Sequence, residues 1–193
     1  MTSAFQLALT IGFVLVFSYF LVGGANTFER DDSDVKGAGW GQFSLFVTGA
    51  LGAALLSFQQ PLHLWNGVAA TALLLGSLAL YEWSRRTIRD RRFHIAFSGD
   101  VPDAVCASGP YAFVRHPVYL SYILAFLAMP IAFPRLATAA IFLFNLGLYV
   151  HAARDDERSL ARSKLGKAYA AYRQRTGMFF PRLRGRANLK ILP

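Results

Sequence analysis

No charged side chain occurs between residue 37 and residue 81, and such a stretch is too long to lie in the core of a small soluble domain. Its middle, SFQQPLHLWNG, is polar and contains Pro61, which is typical of a turn between two helices. The apolar pieces on either side, at about 41–58 and 64–81, are each close to the minimum length for crossing a bilayer. We therefore predict two consecutive membrane spans here.

Three further apolar segments have the character of membrane helices. Residues 4–24 contain no charge, and at about 1.5 Å per residue they cover the roughly 30 Å hydrocarbon core. The segments 118–133 and 136–153 are separated by the helix breakers in MPIAFPR. A content of 54% hydrophobic and 16% charged residues agrees with this reading. We predict an all-α polytopic membrane protein with about five transmembrane helices.

The basic residues predict the orientation of these spans. Of the 20 Lys and Arg residues, six lie in 82–116 and eleven in 154–193, and the positive-inside rule places both regions in the cytoplasm. The fourth and fifth spans then form a hairpin whose tip, near Pro134, faces outward. We treat 1–193 as one membrane domain, with three spans in 1–81, most of the polar chemistry in 82–182 and a basic tail in 183–193.

The net charge of +9 calls for a negatively charged partner. Because the basic residues lie next to spans and no nucleic-acid-binding pattern appears, we expect membrane lipids and no nucleic acid. Cys106 is the only cysteine, which excludes a disulfide within the chain and argues against a thiolate metal cluster, so we predict no metal site. A bacterial inner membrane fits the short chain, and the oligomeric state is left open.

Polar groups gather first in GPYAFVRHPVYLS, at the start of the fourth span. The segment supplies the phenols of Tyr111 and Tyr119, the cation of Arg115 and the imidazole of His116, with Pro117 at the first helical position. Tyr119 follows His116 by three residues, so both can face one side of the first turn. Taken alone, the pattern is equally typical of an interfacial belt of Arg, His and Tyr.

Three consecutive acids, Asp155, Asp156 and Glu157, follow the fifth span. Since that span returns antiparallel to the fourth, its end must lie beside Arg115 and His116, which we expect at the water interface. The alternative is a structural cluster of ion pairs that joins two helix ends. Residues 160–180 then alternate apolar or aromatic residues with Arg and Lys, which predicts an amphipathic cytoplasmic helix that lies on the membrane or covers the polar groups as a lid.

In combination these motifs resemble the integral-membrane methyltransferases that include isoprenylcysteine carboxyl methyltransferase and the phospholipid N-methyltransferases. The similar elements are GPYAFVRHPVYLS, the acids in DDE, and GKAYAAY with RTGMFFP, over about residues 82–182. Two positions depart from the family pattern. Ser121 stands where the family usually has Gly, and the acid pair is Asp156-Glu157 where the family has two Glu residues.

The resemblance implies that S-adenosylmethionine binds at the cytoplasmic ends of the fourth and fifth spans, beneath the tail. The acceptor would be a lipophilic or membrane-embedded small molecule. On this basis we assign cofactor binding to residues 109–119, which we call the RHP segment, to one acid and to the tail tyrosines. The assigned residues are Tyr111, Arg115, His116, Pro117, Tyr119, Glu157, Tyr169 and Tyr172. The cofactor carboxylate would be met by Arg115 or His116, and its amino group by an acid.

Methyl transfer from a sulfonium is a direct displacement, so the reaction needs alignment and exclusion of water more than a protein nucleophile. If the acceptor is a carboxylate, Arg154 or Arg173 would orient it. If it is an amine or a thiol, Asp156 or Glu157 would take its proton. These four residues are the candidate catalytic groups.

Two other functions stay open from the residues. Membrane reductases of the steroid five-alpha-reductase kind have a similar RHP-Tyr element and a Tyr-rich tail, which they use to bind NADPH. A lipid-binding scaffold without enzymatic activity would also explain the basic tail.

Overall fold

A computed structural model describes residues 2–27, 62–89 and 105–182, together with Gly49 and Gly52. Within these residues the chain is helical, and one isolated parallel bridge joins Val114 to Gly177. The helices are α1 (Thr2–Thr27), α2 (Leu64–Arg89), α3 (Pro117–Ala132), α4 (Leu136–Arg162) and α5 (Gly166–Arg175), with a 3-10 turn at Gly109–Ala112 before α3. The all-α prediction is confirmed for this part of the chain.

Three of the described helical segments are long and apolar enough to cross a membrane: Ala4–Gly23, Leu64–Ile88 and Leu136–Arg162. They correspond to the predicted first, third and fifth spans. The fourth, α3, is apolar but has 16 residues, about 24 Å, which is shorter than the hydrocarbon core. The predicted second span at 41–58 lies outside the described residues except for Gly49 and Gly52, so the count of five spans stays a prediction.

Both α2 and α4 continue beyond the ends predicted for their spans, by about two turns. Charged residues mark where an apolar segment ends, but they do not end a helix. After residue 81 the sequence has no Gly or Pro before Arg89, and Glu82 forms ion pairs with Arg85 at 2.9 Å and Arg86 at 2.6 Å along the same helix. The helix therefore projects past its apolar part.

The core is an aromatic cluster to which every long helix contributes. Phe17 of α1 packs on Phe126 of α3 at a ring separation of 4.8 Å, and Tyr81 of α2 lies 5.8 Å from Tyr122 of α3. A Cβ added at Gly52 would approach Met129 of α3 to 2.5 Å, so the glycine permits close packing at this point.

The hairpin of α3 and α4 determines which polar residues meet. The two helices are joined by residues 133–135, and their contacts run in opposite directions along the chain, with Tyr119 beside Asp156 and Tyr122 beside Tyr149. The predicted antiparallel hairpin is thus present. The start of α3 lies beside the last third of α4.

The C-terminal segment, residues 163–182, differs from the continuous helix expected over 160–180. The chain leaves α4 after Arg162, turns through 163–165 and forms the ten-residue helix α5 before continuing without helix to residue 182. The turn is tight at Gly166, where a Cβ would lie 2.5 Å from the carbonyl oxygen of Ala161. This break redirects the segment toward the start of α3.

Candidate functional site

The turn before α3 positions the RHP residues. Gly109 has a φ of +55°, a conformation that residues with a Cβ rarely adopt, and it packs against Thr87 of α2. Beyond the turn, the backbone N–H of Arg115 donates to the carbonyl of Gly177 at 2.8 Å, and that of His116 donates to the carbonyl of Met178 at 3.3 Å. The C-terminal segment is therefore paired with the RHP segment through its backbone.

Arg115 and Glu157 form a buried ion pair. Arg115 Nε donates to Glu157 Oε1 at 2.7 Å, and the two side chains are 6% and 7% exposed. The same guanidinium donates through Nη1 to the carbonyl of Thr176 and, at 3.4 Å, to that of Arg173. The expectation that Arg115 lies at the water interface is wrong, because the C-terminal segment covers it.

His116 and Tyr119 complete this arrangement. His116 Nε2 lies 3.3 Å from Glu157 Oε1, and its ring stacks on the Tyr119 ring at 5.6 Å with an interplanar angle of 11°. Tyr119 in turn donates its hydroxyl to Asp156 Oδ2 at 3.0 Å. The structure therefore brings together Arg115, His116, Tyr119, Asp156 and Glu157, which we call the polar cluster.

The other charged residues of this part of α4 face outward. Asp155 is half exposed and pairs with Arg158 at 2.7 Å and with His151 at 3.1 Å, so it does not join the polar cluster. Arg154 is exposed and, within the described part of the chain, forms no ion pair with Asp156 or Glu157. Of the two predicted cations, only Arg173 comes near, with its Nε 3.7 Å from Glu157 Oε2.

The hydroxyl groups of the tyrosines around the polar cluster are buried. Tyr172 donates to the backbone carbonyl of Tyr111 at 2.7 Å. The hydroxyls of Tyr111 and Tyr169 are buried and have no hydrogen-bond partner among the described residues. Burial raises the pKa of all three phenols, and the negative charge of Glu157 raises the pKa of Tyr169 further. They therefore remain protonated at neutral pH.

The two departures from the family pattern have different structural outcomes. Ser121 is fully buried on α3, where its hydroxyl donates to the carbonyl of Val118 at 2.6 Å and its own carbonyl accepts the hydroxyl of Ser77 at 2.7 Å. The serine is thus accommodated with its polar atoms paired. The second departure, the acid pair Asp156-Glu157, places both carboxylates in the polar cluster. Pro117, a predicted site residue, is buried at the first position of α3.

Sequence reasoning missed the residues after α5 that contact Arg115. Thr176 and Gly177 act through their carbonyls, which every residue has, so no side-chain pattern reveals them. Gly177 was the one residue type in this stretch that could have indicated a tight turn. A Cβ at Gly177 would collide with the carbonyl oxygen of Phe180, so the RTGMFFP turn requires glycine there.

Comparisons with known proteins cover the segments that form the polar cluster. The model of the isoprenylcysteine carboxyl methyltransferase family matches residues 91–162, which include the RHP segment, the α3–α4 hairpin and both acids of the polar cluster. The cobalt-zinc-cadmium resistance protein CzcN of Cupriavidus metallidurans is 30% identical over 144 residues, covering 74% of this chain. The matched region spans 63% of the length of CzcN. The resemblance predicted from the motifs is therefore confirmed over residues 91–162, which match the isoprenylcysteine carboxyl methyltransferase family.

Proposed function

We propose that this chain transfers a methyl group from S-adenosylmethionine to a lipophilic or membrane-embedded acceptor. The match of residues 91–162 to the isoprenylcysteine carboxyl methyltransferase family supports a membrane methyltransferase. The observation that carries the proposal is the polar cluster itself, in which two acids, a cation, an imidazole and a phenol converge where the α3–α4 hairpin ends and the C-terminal segment covers them.

The residues present fit the polar groups of this cofactor. The buried hydroxyl of Tyr169, which lacks a partner among the described residues, is a donor suited to the cofactor carboxylate, and His116 is a second candidate. Asp156 and Glu157 suit the amino group and the ribose hydroxyls. Phe179, which packs against the His116 ring at 6.2 Å, offers an aromatic surface to the adenine. Tyr111, Pro117 and Tyr172 would shape the site through packing.

When bound, S-adenosylmethionine supplies a methyl group that passes from its sulfonium to the lone pair of the acceptor in one displacement. The chain contributes alignment and the exclusion of water, for which the covering C-terminal segment is suited. Asp156 or Glu157 would accept the proton of an amine or thiol acceptor. For a carboxylate acceptor, Arg173 is the better placed of the two cations, since Arg154 stands outside the polar cluster.

The membrane setting suits an acceptor dissolved in lipid. The three long apolar helices support an integral membrane protein, and large apolar side chains such as Leu15, Leu143 and Phe144 are exposed on α1 and α4. We place the polar cluster at the cytoplasmic face, because the basic residues of 82–116 and 154–193 flank it. A bacterial inner membrane and an amphipathic, membrane-facing tail are parts of the same proposal.

Ligand binding to the purified protein tests the proposal and separates it from the reductase alternative. We expect calorimetry in detergent micelles to detect S-adenosylmethionine and no NADPH, and we expect labelled methyl groups to enter a membrane lipid extract. The matched control is Asp155→Asn, which alters an acid outside the polar cluster. Binding of NADPH alone would replace this function with a reductase, and binding of neither would favour the scaffold.

A further inference from the structure

Arg115 joins three parts of the chain that are far apart in sequence. Its backbone belongs to the segment before α3, its Nε contacts Glu157 of α4, and its Nη1 contacts carbonyls of Arg173 and Thr176 at the end of α5. We propose that Arg115 is a positioning residue that fastens the C-terminal segment over the polar cluster, so that its release governs entry and exit of the cofactor. The functional part of this inference rests on the proposed methyltransferase activity.

The chemistry of a helix C-terminus explains why an arginine suits this place. The last carbonyls of α5 have no partner within the helix and carry partial negative charge. Arg115 donates to two such carbonyls while its remaining face meets the carboxylate of Glu157. A planar guanidinium can serve both directions at once, whereas an ammonium on a flexible stem cannot. Arg115 is therefore a buried link that positions α5 relative to α4, and the ion pair of the exposed Arg173 with Glu157 adds little to it.

Apart from a longer ion pair between the exposed Arg173 and Glu157, at 3.7 Å, the other described polar contacts of the C-terminal segment hold it to the RHP segment. Gly177 and Met178 accept backbone hydrogen bonds from Arg115 and His116, and the Tyr172 hydroxyl reaches the carbonyl of Tyr111. These contacts would let α5 pivot away from α4 if the guanidinium released it. The turn at 163–165, between α4 and α5, is the place where such a pivot would occur.

Closure has a direct consequence for ligand exchange. Glu157 is buried beneath the segment, at 6% exposure, and the His116 side chain is 10% exposed. Tyr169, on the segment itself, is 3% exposed. A cofactor that contacts these groups must displace the segment to enter or leave. A weaker attachment would raise the dissociation rate of the cofactor and its KM, while the chemistry at saturating cofactor would change little.

Hydrogen exchange of the ligand-free protein tests the attachment without any assay of activity. In Arg115→Lys we expect the amides of residues 166–178 to exchange about tenfold to a hundredfold faster, the effect of losing one charge-assisted hydrogen bond, while α1 and α2 stay unchanged. Arg158→Lys, which alters an exposed arginine of α4, is the matched control and should leave exchange unchanged. For methyl transfer we expect Arg115→Lys to raise the KM for S-adenosylmethionine about tenfold and to change kcat less than threefold.

The remaining outcomes overturn the inference in different ways. Unchanged exchange of 166–178 with weakened cofactor binding would make Arg115 a direct ligand and leave the methyltransferase function standing. Faster exchange in all helices would make it a general stabiliser of the bundle. If the native protein neither binds nor uses S-adenosylmethionine, the proposed function fails, and the exchange experiment still decides whether Arg115 holds the segment.

Discussion

Removal of the Glu157 charge isolates the buried ion pair. Glu157→Gln keeps the shape of the side chain but leaves the guanidinium of Arg115 opposite a neutral amide. Removing one partner of a buried pair costs about 3–5 kcal/mol, and the exposures of 6% and 7% show that water cannot compensate here. Because glutamine keeps a carbonyl acceptor and Arg115 keeps two backbone carbonyls, we expect the lower end, about 3 kcal/mol.

The companion variant replaces both charges. In Arg115→Met with Glu157→Leu neither charge of the pair remains, so most of the stability should return. The residual loss is that of the carbonyls of α5 left without a donor, about 1–2 kcal/mol. Unfolding in detergent micelles, followed by intrinsic fluorescence, measures both variants. Arg158→Gln, at an exposed ion pair, should cost less than about 1 kcal/mol. A double variant as unstable as the sum of its single changes would refute the reasoning.

Three further predictions address the chemistry and the fold around the polar cluster. Asp156→Asn should lower methyl transfer to an amine or thiol at saturating cofactor about 10²-fold or more, whereas unchanged transfer would exclude it as the proton acceptor. Burial raises the pKa of Tyr172, so the contribution of its protonated hydroxyl to stability is present below about pH 10 and is lost as the pH rises further. Tyr172→Phe should be about 1 kcal/mol less stable at pH 7, because the hydrogen bond to the carbonyl of Tyr111 is lost. Unfolding measured against pH should then show a weaker loss of stability above about pH 10 in the variant than in the native protein. Gly109→Ala should cost about 1–2 kcal/mol in the same unfolding assay, and no loss would show that its positive φ is not required.

The meeting of Arg115 with Glu157 was predictable because a short hairpin fixes which residues share a depth. From Pro117 to Ala132 the chain rises about 24 Å, and an equal descent from Leu136 ends near residue 152. The acids begin three residues later. The lengths of the two apolar helices and the short turn between them were sufficient to place the acids beside the RHP segment.

The outward position of Asp155 follows from helix geometry that the sequence pattern alone disguises. Successive residues of an α-helix are rotated by about 100°, so three consecutive acids span about 200° and cannot all face one neighbour. Buried Ala153 and Tyr149 mark the inner face, and Glu157 continues it at a spacing of four. The rotation of the helix would therefore have excluded Asp155 from the polar cluster.

Coverage of the polar groups by the tail was one of two predicted alternatives, but the contacts that hold the C-terminal segment there could not be predicted in the same way. The contact between Arg115 and Thr176 joins residues 61 positions apart and uses a backbone carbonyl, so residue type carries no signal of it. Amphipathic character predicts a surface helix but not the tertiary partner of that helix. The break before Gly166, which a single Cβ would disrupt, determines where the segment goes.

The burial of two charges beside the proposed cofactor site is better explained by binding than by stability. A buried ion pair contributes little that well-packed apolar side chains would not, so its stabilising effect gives no reason for placing Arg115 and Glu157 there. It does fix a carboxylate in a defined position within a water-poor site, which suits a cofactor with an amino group and hydroxyls. The double variant separates these two explanations. A folded protein that has lost S-adenosylmethionine binding while the amides of residues 166–178 exchange at the native rate would assign the charges to the ligand. Retained binding would assign them to the joining of α4, α5 and the RHP segment alone.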